Sequence, residues 1–171
     1  MLPGWRSTTR ETEIWLKVYK KGSGIPSVTC PEALDVALCW GWIDAIRKGL
    51  DEASFLQRYT PRGKKSMWSQ VNRDNIARLT KAGLMQPPGQ AQVDAAKADG
   101  RWAAAYAPIR SASKDTVPAD LREAIEANPR ASKTFKTLGK MNLFALTFRT
   151  NNMKTPAGRA RKIADLVEML A

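Results

Sequence analysis

The chain has 171 residues, enough for one ordinary domain or two small packed lobes around a buried core. A formal net charge of +12 and a pI near 10.1 give it a field that attracts anions, whether nucleic acid, acidic headgroups or a phosphorylated ligand. Histidine is absent and there are two cysteines, which excludes His-based triads, His general bases and His-containing zinc sites, and leaves any catalysis to carboxylates, Lys, Tyr or Cys.

In chain order, residues 1–12 read as a loose leader; MLPGWRSTTRETEIW lacks the basic start and apolar core of a secretory signal. No apolar run approaches the roughly 20 residues that span a bilayer. A cytoplasmic protein is therefore expected. Cys30 and Cys39, about 13 Å apart along a helix, are expected as free thiols rather than a disulfide. From Glu13 to Tyr19, EIWLKVY alternates Ile14, Leu16 and Val18 against Trp15, Lys17 and Tyr19, which predicts a strand. KKGSGIPS then forms a turn that lacks P-loop spacing, although Lys20 and Lys21 add charge to it.

The stretch from Thr29 to Asp44, TCPEALDVALCWGWID, opens as a helix, with Thr29 and Glu32 spaced as a capping box and Pro31 in the first turn. Leu34, Ala37, Leu38 and Gly41 make an apolar seam, and Glu32, Asp35, Cys39 and Trp42 a second stripe. That second stripe is either a solvated acidic edge with a small buried Cys or the wall of a pocket. Trp42 to Arg47 and Phe55 to Thr60 predict two more strands joined by a turn over Lys48–Glu52; the third puts Phe55, Gln57 and Tyr59 on one side and Leu56, Arg58 and Thr60 on the other. A small antiparallel sheet covered by the helix follows.

PRGKKS is a basic loop. Ser69 caps a helix that ends at Gly83, with a stripe of Trp68, Val71, Asn72, Asn75, Ile76, Leu79 and Ala82. MQPPG is expected to break the chain before a short helix over Gln90–Ala98, and 101–117 reads as an ordered linker anchored by Trp102 and Tyr106. The domains expected are thus a leader (1–12), an α+β lobe (13–100), the linker (101–117) and a basic helical lobe (118–171). In that last lobe, Pro118, Asn128-Pro129 and Thr155-Pro156 open helices, Gly139 ends one, and Ile163, Leu166, Val167 and Leu170 form a core stripe. The apolar run Asn142–Thr150 suits a strand or a buried helix and is assigned to helix from its surroundings. The fold class expected is α+β: a small antiparallel sheet with a covering helix, then a helical C-terminal lobe.

The motifs GSG-x-PS, EA-x-D-x-ALC-x-GWID and R-x-TPR…S-x-WS-x-x-N, with PADLREAIEANPRASKTF and RARKIADLVEML at the end, resemble the bacterial YdeI/OmpD-associated family, also labelled bacteriocin-protection proteins. The resemblance runs from about residue 13 to the C-terminus. It departs from the family in its short leader, where members carry a helical segment, and in NLFALTFRTNNMKTPAG, which is less polar than usual. It implies protection against antimicrobial peptides and, by name alone, association with an outer-membrane porin. It carries over no catalytic residue.

Three functional readings follow. In the first, a non-enzymatic protection protein binds a small molecule or peptide in a pocket between helix and sheet. Glu32, Asp35, Cys39, Asp44 and Arg58 would line it, Trp42, Tyr59 and Trp68 give stacking surface, and Arg62, Ser69 and Asn72 polar rim contacts. Glu32 and Asp35 suit a cationic group, Arg58 and Arg62 an anionic one. In the second, Lys64, Lys65, Arg130, Lys133, Lys136, Arg159, Arg161 and Lys162 bind nucleic acid without sequence preference, with Trp68 or Trp102 as a platform. In the third, an enzyme uses Cys39 as nucleophile and Asp35 or Glu32 for proton transfer, against the tendency of nearby carboxylates to blunt a thiol. No metal or cofactor is expected in any of them.

Overall fold

The computed structural model describes residues 11–171; most of the expected leader lies outside the described residues. The chain divides into two compact units, one ending at Ala105 and one spanning Tyr106–Ala171. The α+β expectation is borne out: an antiparallel sheet with a covering helix, then a helical C-terminal region.

In the N-terminal unit, β1 (Ile14–Tyr19), β2 (Trp42–Gly49) and β3 (Ser54–Pro61) form a sheet in the order β1-β3-β2. Ile14, Leu16 and Val18 pair with Tyr59, Gln57 and Phe55, so the alternation of both strands brings these six side chains to one face. Helix α1 (Cys30–Cys39) covers that face, burying Ala33 and Ala37 against Trp42 and Tyr59. Its start is the capping box expected from sequence: Glu32 N–H donates to Thr29 Oγ1, and Thr29 N–H donates to the Glu32 carboxylate at 2.8 Å.

The helix ends earlier than a continuous stripe to Trp42 requires. Gly41 takes a φ of +80°, a conformation that suits glycine, and turns the chain directly into β2. Trp42 is therefore a strand residue.

The β2–β3 ladder carries an irregularity. Asp44 pairs with Tyr59, yet Arg47 pairs with Gln57, so one extra residue of β2 is accommodated between them. Asp44 and Arg47 are three positions apart and would lie on opposite faces of a regular strand; the bulge brings both to the face under α1. The Gln57 side-chain amide, buried beneath the helix, donates to the Ala45 and Ile46 carbonyls of the bulge. Strand β2 also runs to Gly49, so the turn starts later than Lys48.

On its other side α1 packs with α2 (Gln70–Lys81) and α3 (Pro87–Ala98) around Leu38, Trp68, Ile76, Leu79, Val93 and Ala96. Ala82, placed on the α2 stripe by sequence, is exposed beyond the helix end. The PPG sequence does not break the chain: Pro87 and Pro88 occupy the first turn of α3, where no backbone donor is lost. Gly89 faces the C-terminus of α1 so closely that a Cβ there would lie 2.1 Å from the Cys39 carbonyl oxygen.

In the C-terminal unit, α4 (Ala119–Glu126), α5 (Pro129–Thr137), α6 (Lys140–Asn151) and α7 (Pro156–Leu170) share one apolar cluster, with Leu121, Ile125 and Ala131 at its centre. Asn128 and Thr155 cap α5 and α7 as their positions before proline predict. Gly139 is the N-cap of α6 rather than the end of α5. Within 101–117, Trp102 packs edge-on against Trp68 in the first unit, while Ala112 and Val117 belong to the core of the second. Among the described residues no helix is long and apolar enough to cross a membrane.

Candidate functional site

A groove of about 690 Å³ opens at the N-terminal end of α1, within the size range of small-ligand sites. The end of β1, the turn through Gly24–Thr29, the start of α1, and Arg47 and Phe55 enclose it. Its apolar surface comes from Val18, Ile25, Pro26, Val28 and Phe55, and its cations are Lys20, Lys21 and Arg47. Among the described residues that line it, none is acidic.

Lys20 and Arg47 are held by groups other than carboxylates. The Lys20 amine donates to the backbone carbonyls of Asp51 and Glu52, at 3.4 and 2.8 Å. Arg47 lies over the Phe55 ring, 4.2 Å from its centroid, and donates from Nε to Gln57 Oε1 and from Nη2 to Cys30 Sγ, both at 3.3 Å. A guanidinium has five N–H donors, so most of the Arg47 edge stays free for another acceptor. Of the neighbouring carboxylates, Glu32 is engaged with Thr29 and Asp51 with Ser54 and Lys17, while Asp44 feels the charge of Arg47 without forming an ion pair with it.

Beneath this end of α1 lies a polar group that packing does not explain. Tyr59 is 1% exposed, and its hydroxyl has no hydrogen-bond partner among the described residues. Burial, with Cys30 and Asp44 nearby, pushes its phenol up to about 12 against the pull of Arg47. Asp44 is an exposed residue, yet partial desolvation of its carboxyl raises it, with Arg62 and Arg47 opposing.

The sequence-predicted ligand set is not brought together around one cavity. Glu32 is consumed in the helix cap, and Asp35 forms an ion pair with Arg78 of α2. Cys39 is buried in the core beside Leu38 and Trp68; burial and then Asp35 push its thiol up, against Arg78. Such a thiol is a poor nucleophile. Trp42 and Trp68 are core residues at 2% and 1% exposure. Arg58 points to the other face of the sheet and pairs with Glu13, so it shares no pocket with Tyr59 or Asp44. Arg62 stacks on Trp68 and donates to the Met67 carbonyl, Ser69 caps α2 by accepting from Asn72 N–H, and half-buried Asn72 lies in that first turn. Of the eleven residues, Asp44 and Tyr59 alone adjoin the polar cluster with Cys30 and Arg47.

The residues missed were Lys20, Lys21, Cys30, Arg47 and Phe55. A pair of lysines in a Gly/Ser/Pro turn beside a helix start was visible; the position of Arg47 was not, because it depends on the bulge.

The predicted basic set divides in the same manner. Arg159 grips Asp120 with two bonds of 2.6 and 2.9 Å and donates to the Thr150 carbonyl, so it braces α4, α6 and α7 instead of meeting solvent anions. Lys162 pairs with Asp165. Lys64, Lys65, Arg130, Lys133, Lys136 and Arg161 are exposed. Arg130, Lys133 and Lys136 form a row on α5, and two further amines lie at its end: Lys114 donates to the Lys136 carbonyl and Lys140 to that of Arg110. Both cysteines are free, and among the described residues no group of His, Cys, Asp and Glu side chains has metal-binding geometry.

The chain matches no curated protein and no solved structure. Two family models match it. Residues 116–171 match the model described as Bacteriocin-protection, YdeI or OmpD-Associated, which bears out the resemblance over the C-terminal helices and is consistent with a bacteriocin-protection role. The motifs around α1 and β3, read from sequence as part of that same family, fall under a separate model that covers residues 5–92. With 88 of 171 residues in that match, the chain belongs to the family described as a domain of unknown function (DUF8412).

Proposed function

We propose that this is a non-enzymatic antimicrobial-protection protein, acting in the cytoplasm, that binds a small molecule or peptide in the groove beside β1 and α1. One observation carries the reading: the groove combines an apolar lining with three cations that form no ion pair among the described residues. The family description supplies protection as the context. Burial of Cys39 and the upward shift of its thiol remove support from the nucleophile reading.

The test is protection of a sensitive bacterial strain against bacteriocins on expression of this protein. Ile25→Glu, at an exposed position on the groove wall, is expected to abolish protection while leaving the fold intact. Full protection by that variant rejects the groove.

A second reading, nucleic-acid binding, is favoured by the exposed row Arg130, Lys133 and Lys136 on α5 with Lys114 and Lys140 at its end. It predicts that DNA or RNA binding falls steeply with salt, and that Lys133→Glu with Lys136→Glu removes it. Salt-insensitive ligand binding that survives the double variant favours the groove.

A further inference from the structure

Building on the groove as the binding site, we propose that its ligand is a small anionic amphiphile: a carboxylate or sulfonate head held by Arg47, Lys20 and Lys21, with an apolar body lying on Val18, Ile25, Val28 and Phe55.

The inference comes from how charge is disposed in the N-terminal unit. Lys17, Arg58, Arg78 and Arg101 each pair with a carboxylate, of Asp51, Glu13, Asp35 and Asp99 respectively. The groove cations form no such ion pair among the described residues, although Asp44 lies near enough to Arg47 to feel its charge. Lys20 is held by two carbonyls, Arg47 by an amide oxygen, a sulfur and a ring face, and exposed Lys21 makes no ion pair among the described residues. Three positive charges on a concave, largely apolar surface favour an anion strongly and repel a cation. The acidic residues that suited a cationic group from sequence are spent elsewhere, Glu32 in the α1 cap and Asp35 on Arg78.

Arg47 sets the geometry. Phe55 and Gln57 fix the plane of its guanidinium, and a planar fork held in place suits two-point binding of a carboxylate. The Lys20 amine is likewise held before any ligand arrives. Little side-chain entropy remains to be lost on binding.

Cys30 gives a built-in reporter, since its half-exposed thiol lines the groove beside Arg47 whereas Cys39 is buried. Alkylation of Cys30 by iodoacetate and by iodoacetamide is followed by mass spectrometry in folded and urea-unfolded protein. The ratio of the two rates cancels the intrinsic reactivity of the thiol. An anion-selecting groove raises that ratio about fivefold or more over the unfolded chain, and Lys21→Gln and Arg47→Gln each lower it towards the unfolded value, Arg47→Gln the further. Arg130→Gln, in the other unit, leaves it unchanged. In the same assay decanoate protects Cys30 and 1-decanol does not.

Equal protection by decanoate and 1-decanol, with an unchanged ratio, overturns the anionic class and leaves the groove as a binding site. Protection by neither overturns both. Lys21 is exposed, so its variant keeps the test open even where Arg47→Gln disturbs the sheet.

Discussion

The two units solve the packing problem with different materials. The C-terminal unit is four helices around one cluster of Leu, Ile, Ala, Val and Phe; Thr150 is the buried polar residue identified there, and its hydroxyl turns back onto the Leu146 carbonyl of its own helix at 2.9 Å. The N-terminal unit divides its apolar residues between two clusters, one on each side of α1, and also buries Ser54, Gln57, Arg62, Ser69 and the orphan hydroxyl of Tyr59. Buried polar groups cost stability unless they are paired, so the Gln57 amide and the unpaired Tyr59 hydroxyl beneath α1 mark a part of the molecule under a demand other than packing. The groove opens at that same helix.

The contrast can be broken from either side. All six tryptophans lie in the first 105 residues, so indole fluorescence follows the N-terminal unit and far-UV circular dichroism follows the helices of both. The largest loss is expected for Gly89→Ala. Its methyl group would meet the backbone of Cys39 and Leu38 with no flexible side chain to give way, lowering stability by more than about 3 kcal/mol, visible as an early shift of the fluorescence midpoint in urea. Ile125→Ala, at a fully buried position of α4, is expected to cost roughly 3 kcal/mol, read from the helical signal at 222 nm.

Tyr59 sharpens the comparison through pH. Its phenol is held above the ordinary value, so the folded state binds the proton more tightly than the unfolded chain. The associated stability is complete below about pH 10 and is lost as pH rises towards 12, a fall of roughly 2 kcal/mol over that window. Tyr59→Phe should abolish the fall and match or exceed wild-type stability at neutral pH, because it removes an unpaired hydroxyl. Absorbance at 295 nm should show one of the three tyrosines titrating near 12.

The smallest effect belongs to the C-terminal unit. The Arg159 guanidinium holds the Asp120 carboxyl below its usual range, so the pair's contribution is present at neutral pH and fades as acid drops through that lowered value. Asp120→Asn should cost less than about 1 kcal/mol at pH 7 and nothing at strongly acid pH, measured by thermal melts at both.

Local signals were legible in the sequence and non-local ones were not. The Thr29/Glu32 cap, the alternation of β1 and β3, and the proline-headed helices all follow from residues within one or two turns of each other. The stripe Glu32–Asp35–Cys39–Trp42 failed because it extended a helical period through Gly41, although a glycine after the last periodic residue is itself a stop signal. Arg58 and Tyr59 were assigned to one pocket despite adjacent positions on a strand, which must face opposite sides. The groove depends on Arg47 standing opposite Gln57, and that follows from where the ladder slips, a property of two strands together.

That slip has a consequence for how the protein can change over evolution. Sidedness along β2 is set by the slip between Asp44 and Arg47: straightening the ladder at its present length would carry the guanidinium from the covered face to the open one, whereas deleting one codon at Ala45 or Ile46 would remove the bulge and leave it opposite Gln57. A lineage could therefore gain or lose the groove's cation with every charged residue still spelled in its sequence. Among relatives, interval length and bulge taken together will say more about what the groove accepts than the identity of any single position.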